Sequence, residues 1–306
     1  MKSDKSLNTP DMKKLSIPVL SLIAIFILSY SNTKAQKPVA IQKVISESQL
    51  LASKEKAGPD RSNNEYELVW SDEFNYSGLP DSKKWSYDTA GNITGWGNNE
   101  AQYYTSACLK NSEVKDGNLF INAIKEDFEG RRYTSARLVT KSKGDWLYGR
   151  VEVRAKLPDG RGMWPAIWML PTDWVYGGWP ASGEIDIMEN VGYDPYVIVG
   201  SAHTELYNHM KGTHKNGNIT ISDCYTEFHN YILEWDASEY RVYVDSQLFF
   251  TYKNDGTGYQ SWPFDKPFHL LLNVAVGGNW GGQKGIDDTI FPRSMVVDYV
   301  RVYQKK

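Results

Sequence analysis

The stretch Gly149-Arg-Val-Glu-Val-Arg-Ala-Lys156 decides the fold class, because small or apolar residues alternate in it with charged ones. Successive side chains of a β-strand point to opposite faces, so this run predicts a strand with one face on a core and the other toward water. Residues 240–244 alternate in the same way, and a short turn joins them to a second run at 247–252. These segments are therefore predicted to form β-sheet.

The chain after Tyr66 repeats this pattern in short segments and shows no long helical period. Further strand candidates are residues 66–70, 118–124, 167–170, 197–203, 229–235, 269–276 and 295–303. So many short strands over about 240 residues predict an all-β fold, a jelly-roll sandwich of two curved antiparallel sheets with a concave substrate cleft. Because strands stand at both ends of this block, residues 65–306 are predicted to form one domain that closes on its own termini.

Residues 1–35 are predicted to be a secretory signal peptide. Lys13 and Lys14 precede an apolar run at 17–28, and small and polar residues lead to Ala35, where cleavage is expected. The run is short against the roughly 20 residues that span a bilayer, so a cleaved signal is favoured over an anchor and no membrane insertion is expected. Residues 36–64 are polar and predict a linker. The protein is therefore expected to be secreted or periplasmic, including attachment at the cell surface.

Composition limits the partners of this chain. With 34 Lys and Arg against 37 Asp and Glu, the net charge of -3 argues against a nucleic-acid partner. The 11 tryptophans suit a protein that stacks on flat ligands, although a large core could also take several of them. Cys108 and Cys224 form either a disulfide or two separate thiols, since spacing alone does not decide pairing. We expect a monomer.

The stretch Gly183-Glu-Ile-Asp-Ile-Met-Glu-Asn190 carries three carboxylates within six residues, Glu184, Asp186 and Glu189. Charge runs usually mark a solvated face, but the two isoleucines here predict a strand inside an apolar sheet. Carboxylates on such a strand repel one another and lose hydration, so stability alone does not explain them. A bound metal ion and acid–base chemistry remain as explanations, and a hard cation usually requires several converging loops with carbonyl ligands.

The spacing of the three acids predicts a β-bulge. Glu184 and Asp186 share one face of a regular strand, whereas Glu189 would point to the other. One extra residue at Ile187-Met188 resets the alternation and turns all three acids to the same face. The two glutamates could then approach to about 5–5.5 Å between carboxyl groups, the separation found in retaining glycoside hydrolysis.

The acid stretch and its surroundings resemble glycoside hydrolase family 16, in the version of the signature with the extra residue. The surrounding sequence resembles the laminarinase-like, endo-β-1,3-glucanase branch. This resemblance covers about residues 66–304. The matching stretches are Leu68-Val-Trp-Ser-Asp-Glu-Phe74, Gly95-Trp-Gly-Asn-Asn-Glu100, Gly162-Met-Trp-Pro-Ala-Ile-Trp-Met169, Gly178-Trp-Pro-Ala-Ser-Gly183, Asn273-Val-Ala-Val-Gly-Gly-Asn-Trp280 and Asp298-Tyr-Val-Arg-Val302.

The resemblance implies roles for the three acids. Glu184 resembles the nucleophile that forms a glycosyl-enzyme, and Glu189 resembles the general acid that protonates the leaving oxygen and then activates water. Asp186 would assist by bonding a glutamate and setting its ionisation. Neighbouring carboxylates cannot all ionise cheaply, so one is expected to stay protonated at neutral pH. No cofactor is expected for catalysis.

Several residues are candidates for contact with sugar. A tryptophan in a strand is more often core than platform, and the family resemblance reverses this for some of them. The candidates are Trp168, Trp179, Trp164, Trp280, Trp96, Asn98, Arg137 and His203. For Arg137 the alternative is a surface salt bridge. His209, His214, His229 and His269 are interpreted as ordinary polar positions.

The resemblance also implies a structural calcium far from the cleft. Its ligands would be Glu73, Asp298 and the carbonyl oxygen of Gly117, and oxygen ligands of this kind suit calcium. The alternative for Asp298 is an ion pair with a neighbouring arginine.

The sequence thus predicts a retaining endo-acting enzyme that cleaves β-1,3-glucan such as laminarin. One alternative is an enzyme of the same family that acts on mixed-linkage β-1,3-1,4-glucan or on an algal galactan. The extra residue at Met188 argues against the lichenase branch, and the absence of a basic cluster near the acids argues against a sulfated galactan. A non-catalytic glucan-binding lectin is the other alternative, although a lectin would normally have lost one of the glutamates.

Overall fold

The structure is a computed structural model that describes residues 65–306. The predicted signal peptide and linker lie outside the described residues. Within the described residues, no helix is long and apolar enough to cross a membrane. The regular structure there is almost entirely β, with two short 3₁₀ helices at Gly95–Gly97 and His209–Lys211.

Eighteen strands are found in residues 65–306. They are β1 (Tyr66–Asp72), β2 (Ser86–Tyr87), β3 (Gln102–Tyr104), β4 (Ser112–Lys115), β5 (Asn118–Phe128), β6 (Arg131–Ser135), β7 (Arg137–Val139), β8 (Asp145–Trp146), β9 (Gly149–Lys156), β10 (Met163–Pro171), β11 (Glu184–Glu189), β12 (Val197–His203), β13 (Lys215–Thr220), β14 (His229–Trp235), β15 (Glu239–Val244), β16 (Gln247–Lys253), β17 (Phe268–Val276) and β18 (Arg293–Lys305). Every strand candidate from the sequence is found, most of them extended by a few residues.

The strands form two sheets, which confirms the predicted sandwich. One sheet has the order β16-β15-β14-β9-β18-β5-β6-β3, with β1 added beside β18 and β4 beside β5. The other has the order β13-β12-β11-β10-β17-β7-β2, with β8 beside β17. Pairing is antiparallel except between β3 and β6, which run parallel. Tyr66 pairs with Lys305, so the domain closes on the ends of the described chain as predicted.

Alternation along the strands explains the core. In β9 the residues are buried at every second position, as the sequence pattern requires. Strand β17 differs because all nine of its residues are buried, so it is covered on both faces. His269 and Asn273 are the buried polar residues of β17. The second sheet, which contains β17 and the acid strand β11, is called the site sheet below.

Candidate active site

The predicted bulge lies in β11. Asp186 pairs with Trp168 on β10, and the next pair on that side is Met188 with Ile167, so Ile187 has no partner. On the other side Asp186 pairs with Ser201 and Glu189 pairs with Val199, so three steps along β11 match two steps along β12. Ile187 and Met188 are both fully buried in the core. The bulge prediction is confirmed, and it leaves the three acids on the opposite face from these two apolar side chains.

Gly200 on β12 faces this bulge and has little room. A Cβ atom at this position would lie 3.1 Å from the ring of Phe249 and 3.3 Å from the carbonyl oxygen of Asp186. The glycine is therefore explained by packing against the bulged strand, since a side chain there would press on the backbone that carries the acids.

Each glutamate is held by one indole. Trp179 donates a hydrogen bond from Nε1 to Glu184 Oε2 at 2.9 Å, and Trp164 donates one to Glu189 Oε1 at 3.0 Å. Both glutamates are partly buried, while Asp186 between them is buried. The indoles fix one oxygen of each glutamate in orientation, and a hydrogen bond of this kind favours the charged carboxylate.

The ionisation of the acids follows from their burial and mutual repulsion. Burial raises the pKa of Glu184 to about 8, with the charge of Asp186 as the next cause, while His203 and the Trp179 hydrogen bond act in the opposite sense. Burial also raises the pKa of Asp186. The pKa of Glu189 is raised well above its usual range by burial and by the charges of both other acids. Repulsion between carboxylates is mutual, so the three acids cannot all be ionised and at least one of them holds a proton.

Arg137 is the first residue of β7 in the site sheet, and its guanidinium lies beside two tryptophan rings. Its guanidinium carbon is 4.2 Å from the Trp96 ring centre and 4.6 Å from that of Trp168. Asp88 is its ionic partner, with Arg137 Nε 3.2 Å from the carboxylate, and the arginine side chain is almost fully buried. The salt bridge considered as the alternative for Arg137 is thus present, but it is buried beside two indole rings and not at the surface, and the substrate contact of Arg137 stays a prediction.

The remaining candidates join the same region. Trp280 packs edge-on against Trp164 with ring centres 5.6 Å apart. The carbonyl oxygen of Asn98 accepts a hydrogen bond from the backbone of Asn279, next to Trp280. His203 lies opposite Glu184 on β12. All eight candidate sugar-contact residues therefore lie within one connected region around the acids.

A buried hydrogen-bond network under Trp168 was not predicted from the sequence. Trp168 donates to Asn273 at 2.7 Å, Asn273 donates to the Tyr104 hydroxyl at 3.0 Å, and Tyr104 donates to Glu100 at 3.3 Å. Asn98 also donates to Glu100, at 3.4 Å. Burial raises the pKa of Glu100, while its hydrogen bonds and the charge of Arg137 oppose the rise. This network, named the Glu100 network, links two predicted sugar-contact residues.

Tyr104→Phe should weaken substrate binding without removing any group from the acid strand. The change leaves the Asn273 amide without its acceptor, and an unsatisfied buried group costs about 1–3 kcal/mol. We expect kcat/KM for laminarin to fall about tenfold, mainly through KM, because Trp168 loses its fixed orientation. Tyr103→Phe is the matched control, since Tyr103 packs on Phe128 instead. Equal KM values for the two variants would contradict the positioning role.

Two further histidines, which the sequence analysis interpreted as ordinary polar positions, lie beside His203. The rings of His209 and His214 are 5.2 Å and 5.5 Å from that of His203, and His209 is 5.0 Å from Trp179. Partial burial and the neighbouring imidazoles lower the pKa of both. No local sequence pattern predicts this position, because the fold brings both residues to β12. His209 begins a 3₁₀ turn, and His214 directly precedes the edge strand β13.

The proposed calcium ligands engage arginines in this structure. Asp298 accepts a hydrogen bond from Arg154 at 2.6 Å, and Glu73 accepts two from Arg301 at 2.8 Å each. Their chemistry suits calcium, but a cation would compete with the arginines for the same oxygens. The bound calcium stays a prediction, and the ion pair that was the alternative for Asp298 is present in the structure. Cys108 and Cys224 are both free thiols, the second of the two states considered for them.

When two neighbouring glutamates cannot both ionise, the protonated one can donate to a glycosidic oxygen while the ionised one attacks the anomeric carbon. The fold and the site together therefore define a glycoside hydrolase. The family model described as glycosyl hydrolases family 16 matches residues 98–301. The chain belongs to glycoside hydrolase family 16.

Relatives of known name agree with this assignment. A β-glucanase from Rhodothermus marinus is 54% identical over 256 residues, which cover 81% of this chain and 89% of the relative. The X-ray structure of the laminarinase from Rhodothermus marinus matches with 53% identity and a TM-score of 0.77, covering 79% of this chain and 98% of that one. A variant of SCLam, a non-specific endo-β-1,3(4)-glucanase co-crystallised with 1,3-β-D-cellotriosyl-glucose, matches with 49% identity and a TM-score of 0.76 over 81% and 97% of the two chains.

Proposed function

We propose that this protein is an endo-acting hydrolase of β-1,3-glucan that cleaves with retention of configuration. The observation that carries the proposal is the bulge in β11, which brings Glu184 and Glu189 to one face of the site sheet. The names of the relatives, a β-glucanase and a laminarinase, support the glucan as substrate. An endo-acting enzyme bearing a predicted signal peptide suits export to a polymer outside the cytoplasm, and we expect it to act as a monomer.

The roles of the acids follow from their surroundings. Glu184 matches the nucleophile of the family signature, and His203 and the Trp179 hydrogen bond both favour its charged form, so we assign it as the carboxylate that attacks the anomeric carbon. Glu189 keeps its proton and gives it to the leaving oxygen. Once Glu184 has become an ester its charge is gone, so one cause of the raised pKa of Glu189 disappears with it. Glu189 then ionises more easily and takes a proton from the water that cleaves the ester.

A second candidate substrate is mixed-linkage β-1,3-1,4-glucan. The name of SCLam, a non-specific endo-β-1,3(4)-glucanase at 49% identity, favours keeping it beside laminarin. Reducing ends released from laminarin and lichenan would compare the two, with agarose and carrageenan as tests of the galactan alternative. No release from any of these polymers, with polymer binding intact, would support a lectin instead.

The configuration of the first product tests the proposed mechanism. We expect the β-anomer at early times, because two glutamates on one face of one strand are predicted to approach to about 5–5.5 Å, which leaves no room for the water that an inverting enzyme requires. Proton NMR of laminarin hydrolysis, recorded before mutarotation, measures this directly. An α-anomer as first product would contradict the nucleophile role of Glu184, even if the residue proved essential.

We also propose that calcium, if bound by Glu73, Asp298 and Gly117, supports the fold and not the chemistry. A ligand that binds only the folded chain stabilises it by mass action. A chelator should then lower Tm while leaving laminarin hydrolysis at low temperature unchanged. An unchanged Tm would contradict the calcium site, and the carboxylates of Asp298 and Glu73 would then serve only in ion pairs with Arg154 and Arg301.

A further inference from the structure

Glu184, Asp186 and His203 form a compact triangle of metal-binding atoms. His203 Nε2 is 3.3 Å from Asp186 Oδ2 and 3.8 Å from Glu184 Oε1. One ligand atom from each of the three residues lies within 4.8 Å of both others. Among residues 65–306 this is the one group of three such side chains that converges so closely.

One atom of this triangle and one atom next to it lack the partners that buried polar atoms usually have. Asp186 Oδ2 is buried and has no hydrogen-bond partner within the described chain. His203 is almost fully buried, and no hydrogen bond to its Nδ1 fixes the tautomer. Without an ion the proton belongs on Nε2, which faces the two carboxylates; a cation bound there would take the Nε2 lone pair and leave the proton on Nδ1. Buried polar atoms without partners are uncommon, and a catalytic role, an ordered water or a bound ion explains them in other proteins.

Two edges of the triangle are close to those around a small ion with four ligands, and the third lies within 4.8 Å. Zinc binds imidazole nitrogen at about 2.0–2.1 Å and carboxylate oxygen at about 2.0–2.2 Å in a tetrahedron, so its ligand atoms lie about 3.3–3.4 Å from one another. The distance of 3.3 Å between His203 and Asp186 already has this value. The Glu184 oxygen, at 3.8 Å from His203, has to approach by about half an ångström.

The ligand types favour one class of cation. A hard cation such as Mg²⁺ or Ca²⁺ takes six or more oxygen ligands, or keeps several waters, and does not prefer imidazole. Zinc and similar borderline ions accept a set of one nitrogen and two oxygens with a fourth position open. The hard-cation interpretation of the acid strand therefore remains unsuitable, while His203 from the neighbouring strand supplies the nitrogen that a softer ion requires.

We propose that the catalytic centre is also a binding site for a borderline divalent cation of the Zn²⁺ type, and that the bound ion keeps the enzyme inactive. The ion would bind the oxygen that Glu184 uses as nucleophile, so glucan and ion cannot both engage it. Inhibition in this scheme rests on the proposed function of Glu184, whereas the binding of the ion does not. The two parts can therefore fail separately.

Calorimetric titration of Zn²⁺ into chelator-treated protein tests the binding part. We expect one site per chain, with affinity reduced at least about tenfold by Glu184→Gln and by His203→Ala. His229→Ala is the matched control, because His229 on β14 also contacts two carboxylates, those of Asp223 and Asp245. It should leave the affinity unchanged, and Mg²⁺ in excess should not displace Zn²⁺.

Two results would overturn the site. One is a wild-type titration without a single saturable site. The other is affinity kept in Glu184→Gln but lost in His209→Ala or His214→Ala, which would move the ion to the histidines alone. For the inhibition part, rising laminarin concentration should restore the rate at fixed Zn²⁺. Tight binding at the triangle with no loss of activity would mean that Glu184 is not the nucleophile.

Discussion

Replacing Glu184 with glutamine should lower the rate of laminarin hydrolysis by at least about 10⁴-fold, while the fold stays intact. The variant keeps the size of the side chain and can still accept a hydrogen bond from Trp179, which now contacts Glu184 Oε2. It loses the charge and nucleophilicity that form the glycosyl-enzyme. Reducing-end release and the thermal unfolding midpoint measure the two effects. Glu113→Gln, which changes a partly exposed glutamate paired with Lys115, is the control and should behave as wild type.

A small anion distinguishes a lost nucleophile from a general loss of activity. Glu184→Ala opens space beside the anomeric carbon, and azide can attack there while Glu189 still protonates the leaving oxygen. The single displacement gives an α-glycosyl azide from a β-linked substrate. We expect azide to restore cleavage of an activated aryl β-laminaribioside in this variant and to give the α-product. A β-azide, or near-normal activity in the folded glutamine variant, would remove Glu184 from the nucleophile role.

The acid strand could be predicted because its information is local. The odd spacing from Glu184 to Glu189 required an irregularity, and a bulge is the usual way for a strand to re-aim one side chain. The structure places that irregularity at Ile187-Met188, where both side chains are buried in the core. Alternation predicted β9 for the same reason, since two-residue periodicity is read within a single segment.

The parts of the site that were missed depend on contacts between distant segments. The hydroxyl of Tyr104 on β3 meets Asn273 on β17, 169 residues further along the chain. No local pattern indicates such a pair. β13 was missed because Lys215-Asn-Gly-Asn-Ile-Thr220 contains few β-forming residues and is a strand through its pairing with β12. His214, just before it, therefore had no predicted location.

Arg137 shows how burial changes the meaning of a charged residue. At the sequence level the family resemblance implied a substrate contact for Arg137, with a surface salt bridge as the alternative. Its guanidinium between Trp96 and Trp168 is stabilised by both rings and by Asp88, so its charge is kept inside the cleft. We therefore expect that a sugar bound here would meet a guanidinium that does not have to be ordered on binding.

Replacing Glu189 with glutamine should slow the hydrolysis of laminarin by about 10²–10⁴-fold, the contribution of a general acid. The effect should depend on the leaving group, which separates this variant from the Glu184 variants. A glucan oxygen needs a proton to depart, whereas a dinitrophenolate does not. We therefore expect dinitrophenyl β-laminaribioside to form the glycosyl-enzyme at close to the wild-type rate in Glu189→Gln, with a burst of dinitrophenol.

The step after the burst, hydrolysis of the glycosyl-enzyme, tests the role of Glu189 as a base. Hydrolysis of the glycosyl-enzyme needs Glu189 to take a proton from water, so the intermediate should accumulate on Glu184 in the glutamine variant. Azide needs no such base: it attacks the anomeric carbon, the ester bond to Glu184 breaks, and the carboxylate leaves. Two inversions give a β-glycosyl azide, the opposite anomer from that expected for Glu184→Ala. Peptide mass mapping after the burst should find the sugar on Glu184. A label on any residue other than Glu184, or equal losses with both leaving groups, would remove the assigned roles.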